Sequence, residues 1–253
     1  MKKRKRSKEW FDDDAFWRET FPFIFSEKRL GLADEIIGKV LKLTQLKAKS
    51  ALDLCCGPGR FAIALAQRGF SVTGVDRTKY LLDRARARAR AARVQVEWVQ
   101  QDMRDFVRRE AYDFVLSMFS SFGYFEVRDE DAIVLGNIFE SLRPGGMLLI
   151  DLFGKETLAK AFQNALAETL PDGTMLVQQP RIVDGWNRIV TDWTVIRKGR
   201  ARKFTFQINL YSGQELRQAM ERAGFADVKL YGNLDGDPYA SNAMRLIAVG
   251  RKR

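Results

Sequence analysis

Apolar residues recur along the chain in two alternating rhythms. From Ser50 to Cys56, "SALDLCC" is a short and nearly continuous apolar run, the pattern of a strand buried on both faces. Arg60 to Gly69, "RFAIALAQRG", reads as a helix with Gly69 as its stop. Phe70 to Asp76 gives a second strand, Val94 to Met103 a third, Tyr112 to Phe119 a fourth and Met147 to Phe153 a fifth. Helices are predicted between them, among them "DEDAIVLGNIFESL", which ends at the turn "RPGG", Arg143 to Gly146. "YLLDRARARARAARV" alternates Arg with Ala, yet both are strong helix formers and neither favours strands. It is therefore read as a helix with Leu82, Ala85, Ala89 and Ala92 on one face and the arginines in solvent. Strand and helix alternate in this way for roughly 100 residues, which predicts an α/β fold, a Rossmann-like and mostly parallel sheet with helices on both faces.

The rhythm then changes. "KETLAKAFQNALAE" is helical, and three strand-like runs follow, "TMLVQQPRIV", "WNRIVTDWTVIR" and "RKFTFQINLYS". The intervening "DG" and "KGR" are hairpin turns, so this stretch predicts an inserted antiparallel β-meander. "SGQELRQAMERAGF" restores the helix, with Ser212 as cap and Gly224 as stop, and two closing strands follow. Ahead of the core, "WFDDDAFWRETFPFIF" is dense in aromatics and residues 26–46 are helical. The expected organisation is a basic tail (1–8), an aromatic and helical cap (9–48), a ligand-binding core (49–154), a helix with the β insertion as a cover (155–211), and the rest of the core (212–253).

Composition removes several chemistries. The chain has 253 residues, 46% of them hydrophobic, enough for a large core. There is no histidine, which excludes a Ser-His-Asp triad and a Cys/His zinc site; no metal is expected. The two cysteines, Cys55 and Cys56, are neighbours and form no disulfide framework, which fits a reduced, cytoplasmic setting. No apolar run approaches the roughly 20 residues of a membrane span. "MKKRKRSK" is followed by "EWFDDD" and not by an apolar stretch, so it is not a secretory signal. The net charge of +11 is concentrated in this tail and in the terminal "RKR". Such tails solubilise a protein or touch a polyanion such as RNA electrostatically.

The chemistry gathers at "LDLCCGPGRFA", where a strand passes into a helix. Gly57 and Gly59 there let the backbone approach a ligand closely, and the helix N-terminus adds free N–H groups. Asp76, at the end of the second strand, can accept from ribose hydroxyls. These features suit a dinucleotide and a methyl donor alike. Asp53 separates them, because a carboxylate before the glycines suits an ammonium group and repels a pyrophosphate. In "QQDM", Asp102 can accept from an adenine amino group, with Met103 beside the ring.

The ordered set "LDLCCGPGR", "VTGVD", "VQQDMRDF", "YDFVLSMFSSFGYF" and "LRPGGMLLIDLF" resembles the class I S-adenosylmethionine-dependent methyltransferases. The resemblance implies a seven-stranded sheet whose last strand is antiparallel. It also implies that S-adenosyl-L-methionine is bound and S-adenosyl-L-homocysteine released. Gly57 and Gly59 would cradle the methionine end, Asp53 would lie near its amino group, Asp76 would hold the ribose, and Asp102 with Met103 the adenine. Cys55, Arg77 and Ser117 complete the expected donor site, Cys55 as a small hydrophobe and not a nucleophile. The acceptor is expected at the ends of the fourth and fifth strands, against Met118, Phe119 and Ser120, with Tyr124 and Asp151 as the groups acting on it. For Met118 and Phe119, plain core packing is the competing reading. Asp151 could orient or deprotonate an amine. Trp17 and Phe21 are expected to bring aromatic faces of the cap towards the sulfonium and substrate.

The meander after the fifth strand resembles small-molecule N-methyltransferases, so a small acceptor methylated at nitrogen is expected. An RNA or protein acceptor recruited by the basic tails is the alternative; "LSMFSS" lacks the Asn/Asp-Pro-Pro-Tyr/Phe pattern of base-amino methylation. A nicotinamide enzyme and a donor-binding regulator without catalysis are further alternatives. The sequence carries no signal of oligomeric state.

Overall fold

The computed structural model describes residues 9–46 and 49–253; the basic tail expected at residues 1–8 lies outside them. A 3-10 turn (Trp10–Asp12) leads into α1 (Asp14–Ile24), α2 (Glu27–Gly31) and α3 (Ala33–Thr44). The core then runs β1 (Ser50–Leu54), α4 (Arg60–Gln67), β2 (Ser71–Asp76), α5 (Lys79–Ala91), β3 (Glu97–Gln100), β4 (Tyr112–Ser117), α6 (Asp129–Ser141) and β5 (Leu142–Leu152). After α7 (Lys155–Ala161) come β6 (Leu166–Thr169), β7 (Met175–Val183), β8 (Arg188–Arg197) and β9 (Arg200–Asn209). The chain closes with α8 (Gly213–Arg222), β10 (Ala226–Tyr231) and β11 (Leu246–Arg251).

Seven strands form one sheet in the order β10-β11-β5-β4-β1-β2-β3. Only β11 runs antiparallel to its neighbours, as expected for the last strand. Phe114, Val115 and Leu116 of β4 and Leu148, Leu149 and Ile150 of β5 are fully buried, because helices cover both faces. Ile37 of α3 with Phe61 and Leu65 of α4 pack on one face. Ile138 of α6, Leu216 of α8 and Phe23 of α1 pack on the other. The Arg/Ala stretch is helical, with Leu82, Ala85 and Ala89 buried. The chain leaves β1 for β2 on one side and later returns to β4 on the other. The C-terminal ends of β1 and β4 therefore flank the crevice where open α/β sheets bind ligands. Among the described residues, no helix is long and apolar enough to cross a membrane.

Four local expectations change. The turn expected at Arg143–Gly146 is instead the start of β5. The helix expected over 26–46 is two helices, broken at Leu32. The helix expected from Lys155 to Glu168 ends at Ala161. Leu166–Thr169 instead pairs with Met175–Gln178 through the turn at Pro171, so the insertion has four strands where three were expected. A cross-strand ladder outweighs the helix propensity of "NALAE". The third strand shrinks to Glu97–Gln100, and the "QQDM" residues beyond it are turn.

The insertion is fastened to the core by a buried polar cluster. Asn209 donates its backbone N–H to the Gly123 carbonyl at 2.6 Å. Its side chain donates to the Phe125 carbonyl and to Asp131 Oδ2, both at 3.0 Å. The Tyr211 hydroxyl donates to the same Asp131 oxygen at 2.6 Å, while Asp131 Oδ1 is buried without a partner among the described residues. Burial raises the Asp131 carboxyl to about 6, against the opposing pull of Tyr211 and Asn209. A folded-state pKa above the unfolded value means that the folded chain holds the extra proton. Stability from this group is thus present in acid and lost as pH rises through about 6. Asp131→Asn should therefore stabilise the protein relative to wild type at about pH 7.5, by on the order of 1–3 kcal/mol more than at about pH 4.5. Urea unfolding at the two pH values measures this; a difference that does not change with pH would refute it.

Candidate active site

The turn between β1 and α4 is wound by left-handed residues: Cys55 at φ +60°, Gly57 at +55° and Gly59 at +75°. Gly59 is the N-cap of α4 and has no side chain to cap it. Asp53 supplies the missing acceptor from below, taking the Ala62 N–H at 3.0 Å. Asp76 takes the Gly57 N–H at 2.9 Å and the Thr78 N–H at 2.8 Å. Burial pushes Asp53 up to about 7, opposed by the Ala62 amide and the Arg60 charge, and it raises Asp76 as well. Both glycines are sterically required. A Cβ on Gly59 would overlap the Trp98 ring and meet Ala85 at 3.0 Å, and one on Gly57 would press on Phe25 at 3.2 Å. Cys55 Sγ lies 3.4 Å from Met103 Sδ. Burial raises both thiols well above their usual range, so neither cysteine is a thiolate nucleophile.

Asp102 is where the structure departs most from expectation. Oδ1 accepts from the Arg104 N–H and Nε, and Oδ2 accepts from Arg104 Nη2 at 2.7 Å and Arg77 Nη1 at 3.1 Å. Four bonds fill its lone pairs, so with the cap in this position Asp102 is not the free adenine acceptor that was expected. Arg104, its side chain only 1% exposed, also pairs with Glu9 and with Glu130. Arg77 pairs with Asp12, and its guanidinium lies 4.7 Å over the Phe11 ring. The network clamps the start of the cap across the sheet edge.

At the acceptor end, Ser117 and Met118 are buried, Met118 within the core on the α4 face. Phe119 and Ser120 are both left-handed, at φ +57° and +60°. Phe119 is 43% exposed, so it is not core. Asp151 holds this strained pair. Its Oδ2 accepts the Phe119 N–H at 3.1 Å, its carbonyl the Ser120 N–H at 2.9 Å, and its Oδ1 Arg245 Nε at 2.7 Å. Asp151 is thus a brace tied to a guanidinium, which speaks against the deprotonating one of the two roles expected for it. Ser120 Oγ accepts the Phe153 N–H. Tyr124 lies under Trp10 at 4.8 Å between ring centroids. Burial, then the nearby Cys55 and Asp76, raises its hydroxyl pKa, so it stays protonated.

Trp17 and Phe21 serve the cap itself. Trp17 donates to the Phe11 carbonyl at 3.0 Å, and Phe21 packs on Phe25 and Tyr80. The residues facing the site are Trp10, Phe11 and Phe25, all within the aromatic stretch but not singled out from it. Insertion residues complete the wall: Phe206 meets Trp10 at 5.0 Å and Trp193 at 5.2 Å. Arg104, two residues after Asp102 in "DMRD", had a local signal; Trp193 and Phe206 had none.

Known proteins share this fold. Residues 51–146 match the family model described as a methyltransferase domain. The chain is 29% identical over 196 residues to a dTDP-3-amino-3,4,6-trideoxy-alpha-D-glucopyranose N,N-dimethyltransferase of Streptomyces venezuelae, covering 75% of this chain and 81% of that one. It is 27% identical over 206 residues to the cypemycin N-terminal methyltransferase of a Streptomyces species, covering 81% and 83%. A crystal structure of an S-adenosylmethionine-dependent methyltransferase from Clostridium acetobutylicum shares the fold, with a TM-score of 0.79 over 94% of this chain and 98% of that one, at 14% identity.

Gly59→Ala should cost on the order of 2–4 kcal/mol, combining left-handed strain with the Trp98 overlap. Adding Trp98→Val should recover the overlap but not the strain. Urea denaturation of the single and double variants measures both; a Gly59→Ala protein as stable as wild type would contradict the packing described.

Proposed function

We propose, for this member of the class I S-adenosylmethionine-dependent methyltransferases, a small-molecule acceptor methylated at nitrogen. One observation carries the choice of nitrogen: the two groups best placed to take a proton from an acceptor are committed. Asp151 is ion-paired to Arg245, and the Tyr124 hydroxyl is held above its ordinary pKa. A neutral amine attacks without prior deprotonation, whereas a hydroxyl needs a base. One of the two relatives is named an N,N-dimethyltransferase of a dTDP-3-amino sugar and the other an N-terminal methyltransferase. The wall formed by the cap and the insertion over the strand ends suits an acceptor of small cross-section.

The donor suits the site. The Gly57–Gly59 turn gives close backbone approach, the α4 N-terminus favours the methionine carboxylate, and Asp76 keeps lone pairs for ribose hydroxyls. Asp53, near neutrality in its proton affinity, would be held as a carboxylate by an ammonium above it. When bound, S-adenosylmethionine would supply a sulfonium-borne methyl group: the amine lone pair would form the N–C bond in line as the C–S bond breaks, S-adenosylhomocysteine would leave, and the new ammonium would release its proton to water. The chain's part is alignment and exclusion of water: Tyr124 orients the amine through its hydroxyl, and the aromatic rings of the cap and insertion keep the site dry.

In an assay of S-adenosylhomocysteine release, small amines should react on the order of 100-fold faster than the matching alcohols. Alcohols reacting as well as amines would refute nitrogen specificity. Tyr124→Phe should lower kcat by about tenfold or more while leaving S-adenosylhomocysteine affinity within about twofold. A loss confined to donor affinity would place Tyr124 in the donor site instead.

A further inference from the structure

We propose that Arg60 and Arg245 form a site for an anionic group, carboxylate or phosphate, on the methyl acceptor. This rests on the small-molecule reading above and narrows its substrate class.

Arg60, the first residue of α4, is only 8% exposed, yet it makes no hydrogen bond or ion pair with any described residue. Its guanidinium lies over the rings of Phe61 at 4.5 Å and Phe119 at 4.1 Å. Burial lowers its pKa to about 10, with Asp53 and Asp151 nearby and Arg29 and Arg245 opposing them. Arg245, just before β11, spends Nε on Asp151, and its Nη2 is buried without a partner among the described residues. Its guanidinium lies 3.9 Å over the Phe153 ring and 5.3 Å from the Phe119 ring. Two guanidiniums thus flank Phe119, and neither has its donors satisfied. The carboxylates within reach are spoken for: Asp53 caps α4, and Asp151 already braces the Phe119 turn. Among the described residues Arg60 thus lacks a direct counter-ion and Arg245 keeps an unused donor beside its one carboxylate, and planar guanidiniums match carboxylate and phosphate oxygens.

Sheet order separates this cluster from the far end of the donor site. Asp76 ends β2, next to β1, whereas Arg245 immediately precedes β11 and Asp151 lies on β5, both beyond β4 on the opposite side. The exposed rings of Phe119 and Phe153 frame the cluster and offer apolar contact to the rest of the acceptor. The turn that carries Phe119 is itself strained into the left-handed region, as positions at functional sites often are.

The test reads binding and not turnover, so it is independent of whether nitrogen is the atom methylated. The full chain saturated with S-adenosylhomocysteine is titrated calorimetrically with paired probes: β-alanine against its amide, lactate against lactamide, glucosamine 6-phosphate against glucosamine. At least one anionic member should bind about tenfold or more tightly than its neutral partner. That preference should fall to within about twofold in Arg60→Met and in Arg245→Gln. The carboxylate and phosphate pairs distinguish the two anion types, and the lactate pair keeps the result separate from amine specificity. Absence of any anion preference, or one that survives both substitutions, would overturn the proposal. So would variants that weaken S-adenosylhomocysteine but not 5′-methylthioadenosine, because the arginines would then serve the donor's own carboxylate. Arg60→Lys should restore part of the preference, which separates loss of charge from loss of fold.

Discussion

Two buried carboxylates hold the turn on which the rest of the site is built. Asp53 caps α4 from beneath, and Asp76 ties the turn to the start of α5. The winding they stabilise is unfavourable on its own: a left-handed Cys55 costs about 1–2 kcal/mol. Three hydrogen bonds, from the Ala62, Gly57 and Thr78 amides, hold it in that conformation. Everything nearby takes its position from this turn. Trp98 fills the space left by Gly59 and Gly74, Phe25 closes over Gly57, and α4 points its N-terminus and Arg60 at the end of β4.

A second layer closes the site from above, and it is held by charge as much as by apolar contact. Arg104 is buried among Glu9, Asp102 and Glu130, and Arg77 joins Asp12 to Asp102. A guanidinium this enclosed is tolerable only because carboxylates surround it. The same contacts place Phe11 and Trp10 over Arg77 and Tyr124, where the insertion meets them through Phe206. The fastening of the cap and the dryness of the reaction space thus share one set of residues.

The core was legible in the sequence because its signals are local. Apolar runs with glycine stops gave the parallel strands, and the spacing of Gly57, Gly59 and Asp76 located the turn. What was missed depends on contacts distant in sequence. Asp102 reads as a free acceptor until Glu9 folds across the sheet and Arg104 is trapped between them. Asp151 reads as able to deprotonate an amine until Arg245, just before the last strand, pairs with it. Trp17 and Phe21 could not be told from Trp10 and Phe11, because an aromatic stretch does not reveal which face meets the core. Phe119 carries no glycine or asparagine to announce a left-handed backbone; Asp151 imposes it. The helix expected through Glu168 yields to β6 because its ladder partner lies beyond the next turn.

The central claim is that the β1–α4 turn accepts a methyl donor with an ammonium and carboxylate tail, and not a pyrophosphate. Calorimetric titration of the full chain with S-adenosylhomocysteine and, separately, with NAD tests it directly. The account predicts saturable S-adenosylhomocysteine binding at a Kd on the order of 1 μM to 1 mM, and no saturable heat with NAD. Tight binding of NAD, with S-adenosylhomocysteine failing to bind, would contradict it.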